Sequence, residues 1–247
     1  MPRIPSTRGS GGLGCGTSPR EAHRGFVLRL SCTSVGVHRS ARERAWVETA
    51  FMADYGNQTA LIVVDVQNDF ADPAGSLSVS GGMEVVAFAD DQIAAAEASG
   101  ALVVFTQDWH PPSTPHFVKD GGTWPVHCVA DSWGAELVPG LRVRGPVIRK
   151  GTGGEDGYSG FTVRDCTNGV ERDTELAGLL GDRGVERVVV IGLATDYCVK
   201  ETALDALRRG FPTVVLSEGV RAVDRTPGDG DRALDELADA GAQLLAR

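Results

Sequence analysis

The chain has no apolar run near the roughly 18 residues that a membrane-spanning helix needs, so no spanning segment and no membrane partner is expected. It also lacks a cysteine framework. Cys15, Cys32, Cys128, Cys166 and Cys198 form no CxxC pair and follow no regular spacing. In an acidic, well-cored protein this points to reduced thiols and a cytoplasmic location. No internal repeat is found. The Gly-rich GTGGEDGYSG (151–160) holds neither Walker spacing nor GxGxxG, so it reads as a flexible loop over a site, not as a phosphate cradle. Positive charge is scarce where a core is expected. The formal net charge is −9, residues 1–51 hold eight Arg, three Glu and no Lys for +5, and the rest therefore carries −14. An acidic body argues against nucleic acid as a partner.

Residues 1–51 look unlike the remainder, being rich in Gly, Ser and Arg, with only FVLRL (26–30) resembling a strand. An organelle transit segment fits the Arg and Ser content, but Glu21, Glu43 and Glu48 weaken it. The favoured reading is a disordered extension, of the kind an over-long start would leave, before a domain spanning 52–247.

From residue 59 strands and helices alternate. TALIVVDV (59–66), ALVVF (101–105), PVIRK (146–150), RVVVIG (187–192), TVVLS (213–217) and AQLLA (242–246) read as six strands, and 82–99, 196–209 and 229–240 as helices. This order predicts right-handed crossovers and a three-layer α/β/α fold around a six-stranded, mostly parallel sheet. Ligands of such sheets sit beyond the carboxyl ends of the strands. Asp65, Asp108, His110, Lys150 and Cys198 all fall at those ends.

Three of the five histidines lie within 108–127, giving Asp108, His110, His116 and His127 as candidate ligands. One carboxylate with neutral imidazoles suits Zn²⁺, Fe²⁺ or Mn²⁺; a polar loop with backbone-capping histidines is the plainer alternative. Cys198 follows a strand–turn, with Thr195 or Asp196 placed to cap a helix. Its thiolate would there gain from unpaired N–H groups, which could also receive an oxyanion. The commoner fate of a lone cysteine is a small buried apolar residue. Asp65 interrupts an apolar run and must pair, protonate or reach a site. Lys150 at a strand end faces the same demand, and a structural Asp–Lys pair satisfies both. Phe70, Trp109, Trp124 and Tyr158 flank these groups as possible walls for a flat ring, or as simple core and loop anchors.

Taken together, LIVVDVQNDF (61–70), SLSVSGG (76–82), TQDWHP (106–111), HF (116–117), WPVHCV (124–129), RKGT (149–152), YSGF (158–161) and GLATDYCVKETALDA (192–206) resemble the nicotinamidase branch of the isochorismatase-like cysteine hydrolases. The resemblance spans 59–247 and implies a catalytic Asp65–Lys150–Cys198 triad. It implies metal ligands Asp108, His110 and His127, with His116 a ligand in some relatives, and aromatics Phe70, Trp124 and Tyr158 around a pyridine ring. It also implies a cis peptide between Leu193 and Ala194, with the Ala194 and Cys198 N–H groups facing the oxyanion. Tyr197 stands where some relatives have His. The implied reaction is hydrolysis of nicotinamide, and of pyridine carboxamides such as pyrazinamide, to the acid and ammonia, with one divalent ion and in a possible homo-oligomer. A sibling amidase acting on carbamoyl or maleamate-type substrates, a metal-hydroxide hydrolase and a non-catalytic binding protein are the competing expectations.

Overall fold

A computed structural model describes residues 54–246; the expectation of an N-terminal extension lies outside them. The apolar runs form the sheet. β1 (Thr59–Val64), β2 (Leu102–Asp108), β3 (Val147–Lys150), β6 (Arg187–Leu193), β7 (Thr213–Arg221) and β8 (Gln243–Leu245) line up in the order β3-β2-β1-β6-β7-β8. Every neighbouring pair is parallel. Central β1 is buried at all six positions, as a strand covered on both faces must be, which explains its near-continuous apolar run.

Alternate residues feed two cores. Leu61, Val63, Phe105, Val189 and Ile191 meet Val85, Ala89, Ile93 and Ala96 of one long helix. Ala60, Ile62, Val64, Val188 and Val190 meet the helices on the opposite face through Leu176, Leu180, Ala203, Ala206 and Leu237. The long helix is α2 (Gly82–Ala98), preceded by a single turn, α1 (Asn68–Ala71). The far layer contains α3 (Leu176–Asp182), α4 (Lys200–Arg208) and α5 (Asp229–Asp239). The three-layer expectation holds.

Some elements escape the apolar pattern. A hairpin of β4 (Thr162–Arg164) and β5 (Glu171–Asp173) stands apart from the main sheet. Its strands are three residues long and half-buried or exposed, too short for any alternation to mark them. The helix expected over 196–209 is two pieces: a π-helical turn over Thr195–Val199, then α4.

Candidate active site

The site lies at the carboxyl ends of β1, β2, β3 and β6. Strand β1 stops at Val64, and the chain turns at Asp65 with φ +47, a left-handed conformation that Asp tolerates better than most residues. This turn is held by Gln67, whose amide donates to the carbonyls of Asp108 and Ala135 at 2.8 Å each while its Oε1 accepts the Asp108 N–H at 2.8 Å. Asp108 and Lys150 end adjacent parallel strands as register partners. Cross-strand pairing therefore sets their side chains next to each other.

Lys150, 1% exposed, is the hub. Its Nζ lies 2.8 Å from Asp65 Oδ2, 2.6 Å from Asp108 Oδ1 and 3.7 Å from Cys198 Sγ, and it donates to the Gly157 carbonyl. Asp65 Oδ1 accepts from Thr106 Oγ1 at 2.6 Å. Donor atoms of Asp65, Asp108 and Cys198 all lie within 4.8 Å of one another. The sulfur, acid and ammonium group singled out by the sequence are thus brought together.

Burial acts on every member. It raises the Asp65 carboxyl against the pull of Lys150, which the Asp108 charge further offsets. Burial also works to raise Asp108, but Lys150 and then His110 overcome it and hold that carboxylate well below the usual range. For Lys150 burial favours the neutral amine, yet Asp108 and Asp65 outweigh it and keep the ammonium. Cys198 is pushed well above an ordinary thiol by burial, with Lys150 too weak a counterweight. Burial thus opposes the help that the helix start gives a thiolate. Capping differs too, because Asp196 does not cap the turn. Its carboxylate instead accepts the N–H groups of Val223 and Asp224 at 2.9 Å each, tying the turn to the next loop.

Beside this triad His110, His116 and His127 form a buried cluster whose ligand-type nitrogens lie within 4.8 Å of one another. Asp108 joins the two halves, since its Oδ2 lies 3.6 Å from His110 Nε2 and 3.8 Å from His127 Nε2. His127 Nδ1 is bonded to the Pro125 carbonyl at 2.7 Å and His116 Nδ1 to Asp156 Oδ1 at 2.5 Å. Carbonyl and carboxylate only accept, so each Nδ1 carries a proton and Nε2 is the nitrogen left for an ion. Burial lowers His116 and favours its neutral form, while the His116 hydrogen bond, ahead of other causes, holds Asp156 down to about 2. Among the described residues both His110 ring nitrogens lack a hydrogen-bond partner although fully buried. An orphaned His110 Nε2 that faces a carboxylate and stands beside two more imidazoles fits a divalent ion.

A cavity partly open to solvent joins the two halves. Phe70, Trp124, Tyr158 and Tyr197 supply its flat walls, with Asp108, His116, His127, Ala194 and Cys198 also lining it. Trp124 Nε1 donates to the Tyr158 hydroxyl at 2.7 Å, and the Trp124 ring meets Tyr197 edge-on at 4.9 Å. Burial pushes the Tyr158 phenol up to about 12, so it stays neutral. Trp109 points elsewhere, stacking under Arg149 at 3.7 Å. The Leu193–Ala194 peptide is cis. Sequence reading assigned no role to Gln67, Thr106, Asp156 or Gly157. Gln67 and Thr106 lie inside motif segments and were open to notice, whereas the Asp156 contact spans 40 residues and has no local signal.

A parallel sheet carrying a buried Asp, Lys and Cys beside an imidazole cluster defines a class, and the chain belongs to the isochorismatase domain family, whose model matches residues 59–247. Within it, the chain is 37% identical to a nicotinamidase of Escherichia coli (strain K12) over 203 residues, covering 75% of this chain and 93% of the relative. Among solved structures it resembles a pyrazinamidase of Pyrococcus horikoshii in complex with zinc, with 39% identity, TM-score 0.68, and 77% and 99% of the two chains covered. It likewise resembles PnC1 from L. infantum in complex with nicotinate, with 41% identity, TM-score 0.69, and coverage of 78% and 94%.

Proposed function

We propose that this protein is a nicotinamidase, an amidohydrolase that converts nicotinamide to nicotinate and ammonia, with related pyridine carboxamides such as pyrazinamide as further substrates. The observation that carries the reading is the convergence of Cys198, Asp65 and Lys150 on one end of an aromatic-walled cavity whose other end is the imidazole cluster. Nicotinamide has matching parts, a flat ring with a basic nitrogen at one end and an amide at the other.

Phe70, Trp124 and Tyr158 clasp the ring and exclude water. Asp108, His110, His116 and His127 would hold a divalent ion, Zn²⁺ or else Fe²⁺ or Mn²⁺. When bound, that ion supplies a Lewis-acidic contact for the ring nitrogen. Burial pushes the Cys198 thiol up, and Asp65 takes its proton as Sγ attacks the carboxamide carbon. Lys150 offsets the negative charge passing between them. The Ala194 and Cys198 N–H groups receive the oxyanion, each such donor being typically worth about 2.7–4 kcal/mol. Asp65 returns the proton to the departing ammonia and leaves a thioester. It then deprotonates a water that attacks the thioester carbon, and the proton passes back to sulfur as nicotinate leaves. Such an enzyme returns nicotinate to pyridine nucleotide salvage in the cytoplasm.

Replacing Cys198 by Ala tests the assignment. Ammonia release from nicotinamide should fall at least about 10³-fold, in line with nucleophile losses in comparable enzymes, while metal content stays near normal. Retained turnover would remove Cys198 as nucleophile. Wild-type turnover of N-carbamoyl or maleamate-type amides in place of nicotinamide would overturn the substrate.

A further inference from the structure

The 151–158 segment makes more contacts with the site than a loose cover would. Gly151 packs against the His110 ring so closely that a Cβ there would sit 2.5 Å from Cε1, and its φ of +75 suits glycine. Thr114 Oγ1 donates to the Gly154 carbonyl at 2.7 Å and accepts the His116 N–H at 3.2 Å. Asp156 Oδ1 takes the His116 Nδ1 proton at 2.5 Å. Gly157 presents its carbonyl to Lys150, and Tyr158 walls the cavity.

Asp156 is itself held firmly. Its N–H and carbonyl pair with those of Arg164 at 2.8 Å each, which joins the segment to the end of β4. Its other carboxylate oxygen lies 3.3 Å from Arg164 Nη2. The small hairpin, which contributes nothing to the main sheet, thus has a use. It fixes a carboxylate behind one imidazole of the cluster.

We infer that Asp156 is a positioning residue for metal binding, orienting His116 and fixing its tautomer so that Nε2 faces the ion, and that ion occupancy in turn holds the 151–158 segment closed over the cavity. The inference rests on the metal site proposed above. A carboxylate behind a ligating imidazole raises its basicity and locks its ring plane, and losing such a partner typically weakens metal affinity about 10–100-fold. Occupancy and closure are linked because the ion pulls on His116, His116 on Asp156, and Asp156 on the segment carrying Gly157 and Tyr158.

The test measures Zn²⁺ affinity by chelator competition in substrate-free, full-length protein, with far-UV circular dichroism as a folding check. Asp156→Ala should bind about 10–100-fold more weakly, and Asp156→Asn, which keeps a neutral acceptor, should fall between. Arg172→Ala, which breaks the exposed Arg172–Glu155 pair at 2.8 Å on the same hairpin, should bind like wild type. Amide hydrogen exchange over 151–158 should slow on adding Zn²⁺ to wild type and change little in Asp156→Ala. An Asp156→Ala affinity equal to wild type, or an equal loss in Arg172→Ala, would overturn the inference while leaving the metal site standing. Absence of Zn²⁺ binding in wild type would overturn both.

Discussion

Lys150 divides one ammonium among two carboxylates, a carbonyl and a sulfur, all inside the protein. Removing one partner of a buried ionic group typically costs about 3–5 kcal/mol, because the remaining charges lose their compensation. Lys150→Met should therefore lower stability to urea by about that amount near pH 7. The pH dependence has a definite sign. In wild type Asp108 is depressed when folded and stabilises the fold above about pH 3.9, the ordinary carboxylate value, whereas Asp65 is raised and opposes the fold as pH climbs through its shifted range. Without the ammonium both carboxyls are raised, so the variant's deficit should grow as pH rises through their range and shrink toward about pH 4. Equal deficits at both ends in urea titrations would show that Lys150 is not the compensating charge. The identities of these residues were legible in the sequence, through strand-end placement and shared motifs. The upward push on the Cys198 thiol was not, because burial is a property of the folded chain and not of the local helix start.

Elements set the angles at which these groups meet. Gly192, with φ +121, pairs with Val64 across β1 and β6, and a Cβ there would lie 2.1 Å from the Val64 carbonyl oxygen. Close approach of the two strand ends brings the Asp65 turn against the cis-peptide turn that leads to Cys198. Forcing a side chain into such a backbone conformation costs on the order of 1–3 kcal/mol. Gly192→Ala should then melt several degrees below wild type and lose turnover more than its unfolded fraction explains; unchanged melting and kcat would refute this spacing role. Strands were the most readable elements, since runs such as LIVVDV and RVVVIG need burial on both faces. The β4–β5 hairpin was unreadable because three-residue polar strands carry no periodicity. The π-helical turn was equally hidden, since its extra residue per turn depends on how Ala194, Cys198 and Val199 settle against the sheet edge and not on helix propensity.

At the scale of the whole molecule the same ion site should act as a staple. The candidate ligands come from the end of β2 and from the long connection before β3, and an ion bound to the native state alone would add about 2.7 kcal/mol at a concentration 100 times Kd. For a domain of this size that corresponds to a rise of roughly 5–10 °C in Tm. Chelator-stripped protein should show the lower value in a thermal melt and recover it with Zn²⁺; identical melts would mean that the imidazoles hold no ion. Overall architecture followed from alternation alone, and no helix among the described residues is long and apolar enough to cross a membrane.

Asp108 turns one oxygen to Lys150 and the other to the imidazoles. A carboxylate has only one negative charge to share. Whatever an ion draws from one side is withdrawn from the ammonium on the other, and through it from the thiol. An ion bound at these imidazoles would therefore also be felt at the sulfur, and exchanging one ion for another should alter the reactivity of both sides of the site.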